Sequence, residues 1–203
     1  QQIRPWDVLD IRVLETLATL PREAFVAESL RNLAYTDTAL PLAHGEFMKK
    51  PVQEGRALQA LLPAAEESVL EIGTGSGYLT ACLGRLAREV VSLERHADLA
   101  DAARARLSAQ CISNAEVITA DAFHWDSSRS FDAICVTGAV ESIPADFLRW
   151  LKPGGRMFVV RGHSPAMEAV LLHRDVNGSR TESLFETDVP YLAGAAPVPA
   201  FAL

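Results

Sequence analysis

At 203 residues, with 49% hydrophobic and 22% charged side chains, the chain can bury the core of one ordinary globular domain. A formal net charge of −7 makes attraction to nucleic acid or to an anionic membrane unfavourable. No apolar run approaches the roughly 20 residues of a membrane helix, and Cys82, Cys111 and Cys135 lack metal-ligand spacing and read as reduced thiols of a cytoplasmic protein.

No signal peptide is recognisable; the chain begins at Gln1 rather than methionine, which leaves room for a short leader. Val8 to Leu20 carries a helical stripe of Val8, Ile11, Leu14, Leu17 and Ala18. Pro21 opens a new segment at a position that helices accept. Residues 34–50 are irregular, with Pro41, Gly45 and the pair Lys49-Lys50 ahead of Pro51, and are expected to form a loop over a site. A helix is predicted from Val52 to Leu62.

From Ser68 onward strands and helices alternate. Strands are predicted at Val69–Ile72, Val90–Leu93, Glu116–Thr119, Phe131–Thr137 and Met157–Arg161, the last after a turn at Lys152-Pro-Gly-Gly155. Helices are predicted at Gly77–Ala87 and Ala97–Ala109. Ala169–His173 and Glu182–Glu186 complete a set of seven strands as an antiparallel pair about Val176-Asn-Gly-Ser179. The pattern implies an α/β fold: a doubly wound, mostly parallel seven-stranded sheet with helices on both faces and an N-terminal helical extension. One domain, 1–203, is expected, with an acceptor-side segment at 1–62 and a nucleoside-binding core at 63–203.

The chemistry concentrates at Val69-Leu-Glu-Ile-Gly-Thr-Gly-Ser-Gly-Tyr78. Gly73, Gly75 and Gly77 let a backbone turn approach a ligand, and Thr74 lies within that turn. The following helix aims free N–H groups at the same place. Dinucleotide sites use Gly-x-Gly-x-x-Gly. Here the spacing is Gly-x-Gly-x-Gly behind Glu71, a carboxylate that would repel a pyrophosphate but suits an ammonium and a sulfonium. The spacing therefore favours S-adenosyl-L-methionine. Glu94, ending the second strand, is expected to hold the ribose hydroxyls, and Asp121 the adenine amino group beside Ala122. Asp121 also suits the start of a helix, and the two roles can coexist. No tyrosine has a lysine four residues on, as short-chain dehydrogenases require. No Gly-x-Ser-x-Gly elbow is present either. No metal site is expected; of five scattered histidines, only His44 in the irregular loop is singled out.

Several stretches together resemble the protein-L-isoaspartate O-methyltransferase family along almost the whole chain. They are Leu20-Pro-Arg-Glu-Ala-Phe-Val26, Ala34-Tyr-Thr-Asp37 with Leu40-Pro-Leu42, the glycine turn, Phe131-Asp-Ala-Ile134 and Pro153-Gly-Gly155. The resemblance implies a class I methyltransferase fold. It also implies methyl transfer from S-adenosyl-L-methionine to an isoaspartyl carboxylate in a protein or peptide. Where the family carries Thr-Ile-Ser, this chain has Phe47-Met48-Lys49, so Lys49 takes the acceptor-site position of the serine. The ending Tyr191–Leu203 also lacks the family's charged tail. Three functions stay open: isoaspartyl carboxyl transfer, transfer to another, small anionic acceptor, and non-catalytic binding of S-adenosyl-L-methionine. Lys49 leads to the expectation that isoaspartyl transfer is weak beside a member carrying the serine.

Overall fold

The computed structural model describes residues 7–197. Helix α1, Ile11–Thr19, starts where the Asp10 carboxylate accepts the free amides of Arg12 and Val13. It packs against α2, Pro51–Leu61, and α3, Tyr78–Leu86. Between α1 and α2 run two short 3₁₀ segments, Arg22–Phe25 and Glu28–Leu33. A two-stranded antiparallel ribbon follows, β1 at Leu40–Pro41 and β2 at Phe47–Met48. The stretch 34–50 is therefore more ordered than its composition predicts. Two-residue strands have no periodicity to read.

Strands β3, Ser68–Ile72, β4, Glu89–Glu94, and β5, Ala115–Thr119, are laid down outward in parallel, with α3 and α4, Ala97–Ala109, as crossovers. Strand β6, Phe131–Val140, returns to the other side of β3. The short helix α5, Ala145–Arg149, leads to β7, Leu151–His163, parallel to β6. Strands β8, Ala166–Asp175, and β9, Gly178–Thr187, close the sheet antiparallel. The order β5-β4-β3-β6-β7-β8-β9 is the expected seven-stranded sheet. Its direction of winding reverses beside β3, where doubly wound sheets open a crevice at their carboxyl ends.

Alternation along the strands divides two cores. Val69, Val90, Cys135 and Phe158 face α1–α4, while Leu70, Val91, Ile134 and Met157 face the other side. That second face is covered by α5 with Phe123, Trp125, Phe147 and Trp150, an aromatic cluster doing much of the work of a helical layer. The predicted turn at 152–155 is not a strand boundary. Strand β7 already pairs at Leu151, and the register shift before Arg156 absorbs Pro153 and the left-handed Gly154 as a bulge. Of the cysteines, Cys82 and Cys135 are buried and Cys111 is exposed; all are unpaired. Among the described residues no helix is long and apolar enough to cross a membrane.

Helix α3 ends on Asn114, whose side-chain amide donates to the carbonyls of Gly84, Ala87 and Arg88 at 2.9, 3.1 and 3.1 Å. Those carbonyls have no helical partner of their own. Asn114→Ala is expected to lower unfolding free energy by about 1–3 kcal/mol, read as a reduced midpoint in urea with an unchanged slope.

Candidate active site

The glycine turn leaves β3 with three left-handed residues, Gly73 at φ 94°, Gly75 at 54° and Gly77 at 84°. It is tied to β4 by the amides of Gly73 and Thr74, which both donate to Leu93 O at 2.9 and 3.1 Å. Thr137 on β6 ties it to the other neighbour, donating its hydroxyl to Ile72 O and Gly73 O at 2.9 and 2.8 Å. A side chain at Gly73 would collide with that Thr137 hydroxyl. Gly77 stands apart from the cleft wall: its missing Cβ makes room for Ala103 of α4 at 3.1 Å.

The cleft above this turn holds about 1180 Å³ of empty space, its open mouth included. Lys49, Glu71, Gly73, Thr74, Gly75, Glu94, Asp121 and Ala122 all line it, so eight of the ten residues singled out in the sequence converge on one space, all but Gly77 and His44. Glu94 accepts from Gly75 N–H at 2.9 Å with one oxygen and from His96 N–H at 3.0 Å with the other. It thereby clamps the turn and keeps lone pairs for a ligand. Asp121 makes an Asx turn, accepting from Phe123 N–H at 3.0 Å; no helix follows, so the helix-start alternative becomes a local turn.

Glu71 is fully buried on the same face as Cys135. One of its oxygens accepts from the hydroxyls of Thr80 and Ser92, and Thr74 and Ser92 lie 2.6 Å apart behind them. Its other oxygen, Oε1, is buried without any partner. Burial, against the pull of those two hydroxyls, pushes its pKa up to about 8. An orphaned carboxyl oxygen on a cavity wall is a receptor for a cation or a donor group.

The loop carrying Lys49 is braced from behind by Arg22, a residue of the quoted Pro-Arg-Glu-Ala-Phe-Val motif to which the sequence assigns no role of its own. Arg22 is 2% exposed and forms an ion pair with Glu54 of α2. Its remaining donors go to Ala34 O and Lys49 O, each at 2.6 Å, and its guanidinium lies 5.0 Å from the centre of the Tyr78 ring. Phe25 packs edge-on against the same ring at 5.4 Å. The motif Pro21-Arg-Glu-Ala-Phe-Val26 is thus the brace for the loop carrying Lys49, and its distinctive residue pattern was the available signal. Burial raises the Glu54 pKa to about 7, opposed by Arg22 and Lys49. Burial likewise lowers that of Lys49, partly offset by Cys135 and Glu54. Phe47, 48% exposed, stands at the mouth.

Residues 188–193 complete the wall and were not foreseen. Tyr191 bridges to Ala139 of β6, and Leu192 N–H donates to Ala139 O at 2.8 Å. Leu192 fits only because residue 138 is glycine, where a Cβ would lie 2.8 Å from it. Residues 198–203 of the uncharged ending lie outside the described residues. His44 is not part of the cleft wall. It stacks on His96 at 4.0 Å and bonds Asp98 at 2.8 Å on the exposed side. No metal-binding cluster exists among the described residues.

The model of the family protein-L-isoaspartate(D-aspartate) O-methyltransferase matches residues 4–192. The chain belongs to this family. It is similar to the protein-L-isoaspartate O-methyltransferase of Nitrobacter winogradskyi, with 40% identity over 96% of this chain and 91% of that one. The Cellvibrio japonicus protein of the same name is 35% identical over 97% and 90%. In fold, the chain matches a Plasmodium falciparum structure described as a protein-L-isoaspartate O-methyltransferase in complex with S-adenosyl-L-homocysteine. The TM-score is 0.81 at 20% identity, covering 94% of each chain. The class I methyltransferase fold expected from the family resemblance is the one observed.

Within this family member, removing one partner of the buried pair strands the other charge. Arg22→Ala is expected to destabilise the fold by about 3–5 kcal/mol, whereas Arg22→Met with Glu54→Leu should cost far less. Denaturant titration of both variants checks this. Equal losses would mean that the pair is not coupled.

Proposed function

We propose that this protein transfers the methyl group of S-adenosyl-L-methionine to the free carboxylate of an L-isoaspartyl residue in a protein or peptide. The observation that carries the reading is the meeting, in one cleft, of the glycine turn with the Arg22-braced loop bearing Lys49. Family membership over nearly the whole chain favours this acceptor above the other two readings.

The sulfonium supplies a methyl carbon already activated for in-line displacement. We assign Glu94 to the ribose hydroxyls, Asp121 with Ala122 to the adenine edge, and the orphaned Oε1 of Glu71 to the ligand's ammonium. Gly73, Thr74 and Gly75 bring backbone close, and Gly77 shapes the turn from behind. Residues 1–62 are assigned to the acceptor side and 63–203 to the donor core, within one domain. The unpaired thiols support a cytoplasmic setting.

A carboxylate is ionised at neutral pH and needs no general base. The residues have then only to position the reactants and exclude water. Lys49 and Lys50 both line the cleft from the acceptor segment, and we assign to Lys49, at the family's serine position, the role of pairing with the incoming carboxylate. Pairing holds the ground state more tightly than a transition state in which the negative charge is disappearing. An isoaspartyl peptide should accept base-labile methyl from labelled donor, with the normal aspartyl peptide inert. Lys49→Ser should raise both KM and kcat. A peptide turned over equally well by native chain and variant would sink the assignment of Lys49.

Glu71 gives a pH signature. Its folded pKa of about 8 means that it holds a proton at pH 7 in the free protein. An ammonium docking beside it favours the carboxylate, so binding releases that proton. Affinity for S-adenosyl-L-homocysteine should therefore rise with pH, by at most about tenfold per unit, and level off above about pH 8. Calorimetry in buffers of different ionisation heat measures the proton directly. Glu71→Gln should flatten the profile.

A further inference from the structure

Lysine is scarce in this chain. Only Lys49, Lys50 and Lys152 occur, and arginine supplies the other basic side chains. Lys152 is committed to Asp132 at 2.9 Å on the far end of the sheet. Lys49 is placed quite differently. With Phe47, Met48 and Lys50 it lines the cleft that Glu71, Gly73 and Thr137 also line. Its backbone is fixed, because its carbonyl accepts from Arg22 at 2.6 Å and the next amide, Lys50 N–H, donates to Gln53 at 3.3 Å.

Its ammonium, by contrast, has no committed partner. Of the groups that face it, Glu54 is engaged by Arg22, and Cys135 is kept as a neutral thiol by burial. No carboxylate among the described residues forms an ion pair with it. A lysine with a fixed backbone, a flexible four-carbon stem and an unpaired amine in a methyl-transfer cleft has the makings of a nucleophile. Burial lowers the proton affinity of that amine and so enlarges its reactive fraction.

We infer that Lys49 is itself a methyl acceptor, modified in cis to Nζ-methyl-lysine when the cleft holds the donor and no acceptor carboxylate. The inference rests on the donor reading given above. The lysine ammonium first gives a proton to water through the cleft mouth. The free nitrogen then forms a bond to the methyl carbon as the carbon–sulfur bond breaks. The electron pair leaves with sulfur, giving S-adenosyl-L-homocysteine, and the product is a cationic methylammonium. An incoming carboxylate suppresses the step by pairing with the ammonium and holding its proton.

The full chain incubated with methyl-labelled S-adenosyl-L-methionine and then treated with alkali tests this, because carboxyl methyl esters hydrolyse and N-methyl groups persist. Alkali-stable label is expected at Lys49 by peptide mapping, absent from Lys50 and Lys152 and lost in Lys49→Arg. The fraction modified per unit time should not change on dilution of the protein, and isoaspartyl peptide should slow it. Trace acetylation with acetic anhydride, without donor, gives a reading independent of turnover. Lys49 should react at lower pH than Lys152 and be protected by S-adenosyl-L-homocysteine. Esterified peptide with no label on Lys49, or label on Lys50 instead, overturns the inference and leaves carboxyl transfer standing. Absence of both products overturns both readings.

Discussion

Two opposite charges held out of water, Arg22 and Glu54, tie helix α2 to the backbone at Ala34 and at Lys49 on the cleft wall. Desolvating such a pair costs several kcal/mol per ion, and an apolar replacement is often no less stable. Its presence here is better explained by geometry than by stability. The planar guanidinium serves three acceptors in different directions: the Glu54 carboxylate, Ala34 O and Lys49 O. A methionine of similar volume could fill the space but would leave both carbonyls without a donor. The same guanidinium lies against Tyr78, the first residue of the helix that follows the glycine turn. One side chain thus relates the position of Lys49 to the position of the turn.

The donor side is governed by two carboxyls given opposite treatment. Glu94 receives a backbone N–H on each oxygen. Glu71 receives two hydroxyls on one oxygen and nothing on the other, in full burial, and with Glu94 as a like charge nearby. Of the two, Glu71 is the one that burial makes hold its proton at neutral pH. Because Glu71 binds that proton more tightly folded than unfolded, its contribution to stability is complete below about pH 4.5. It is lost as pH rises through about 8. A buried carboxyl oxygen without a partner carries a cost that a cation or a donor group on a ligand would offset.

What could be read in the sequence was whatever is encoded locally. The glycine turn, the Glu94 strand end and helix Ala97–Ala109 each rest on residues within a few positions of one another, and α4 has the predicted bounds. The mostly parallel seven-stranded sheet with its late antiparallel pair followed from strand–helix alternation and the hairpin signal. Pro153-Gly154 misled, because a turn signal and a β-bulge use the same residues. Only pairing of Leu151 with Phe131 tells them apart. The partners of Arg22 and Glu71 were beyond reach, since Glu54 lies 32 residues from Arg22 and Ser92 lies 21 from Glu71. No spacing rule joins them. The wall at 188–193 was hidden for a similar reason: Tyr191 pairs with Ala139 through backbone that any residue could supply.

The reaction assigned to this cleft destroys charge, because a carboxylate and a sulfonium become an ester and a thioether. Poorly hydrated surroundings favour such a step, as the reactants lose more solvation than the transition state does. A cation on the proposed acceptor wall works against that advantage by stabilising the carboxylate before it reacts. A hydroxyl at the same place would orient the carboxylate with a neutral hydrogen bond and impose less of this penalty. On the proposed assignment Lys49 trades turnover for capture of the anion. The Arg22 brace completes the argument. It holds Lys49 by its backbone carbonyl and takes no part of its side chain, which forms no ion pair among the described residues, so in the proposed reaction the amine is free to meet the carboxylate while the loop stays in place.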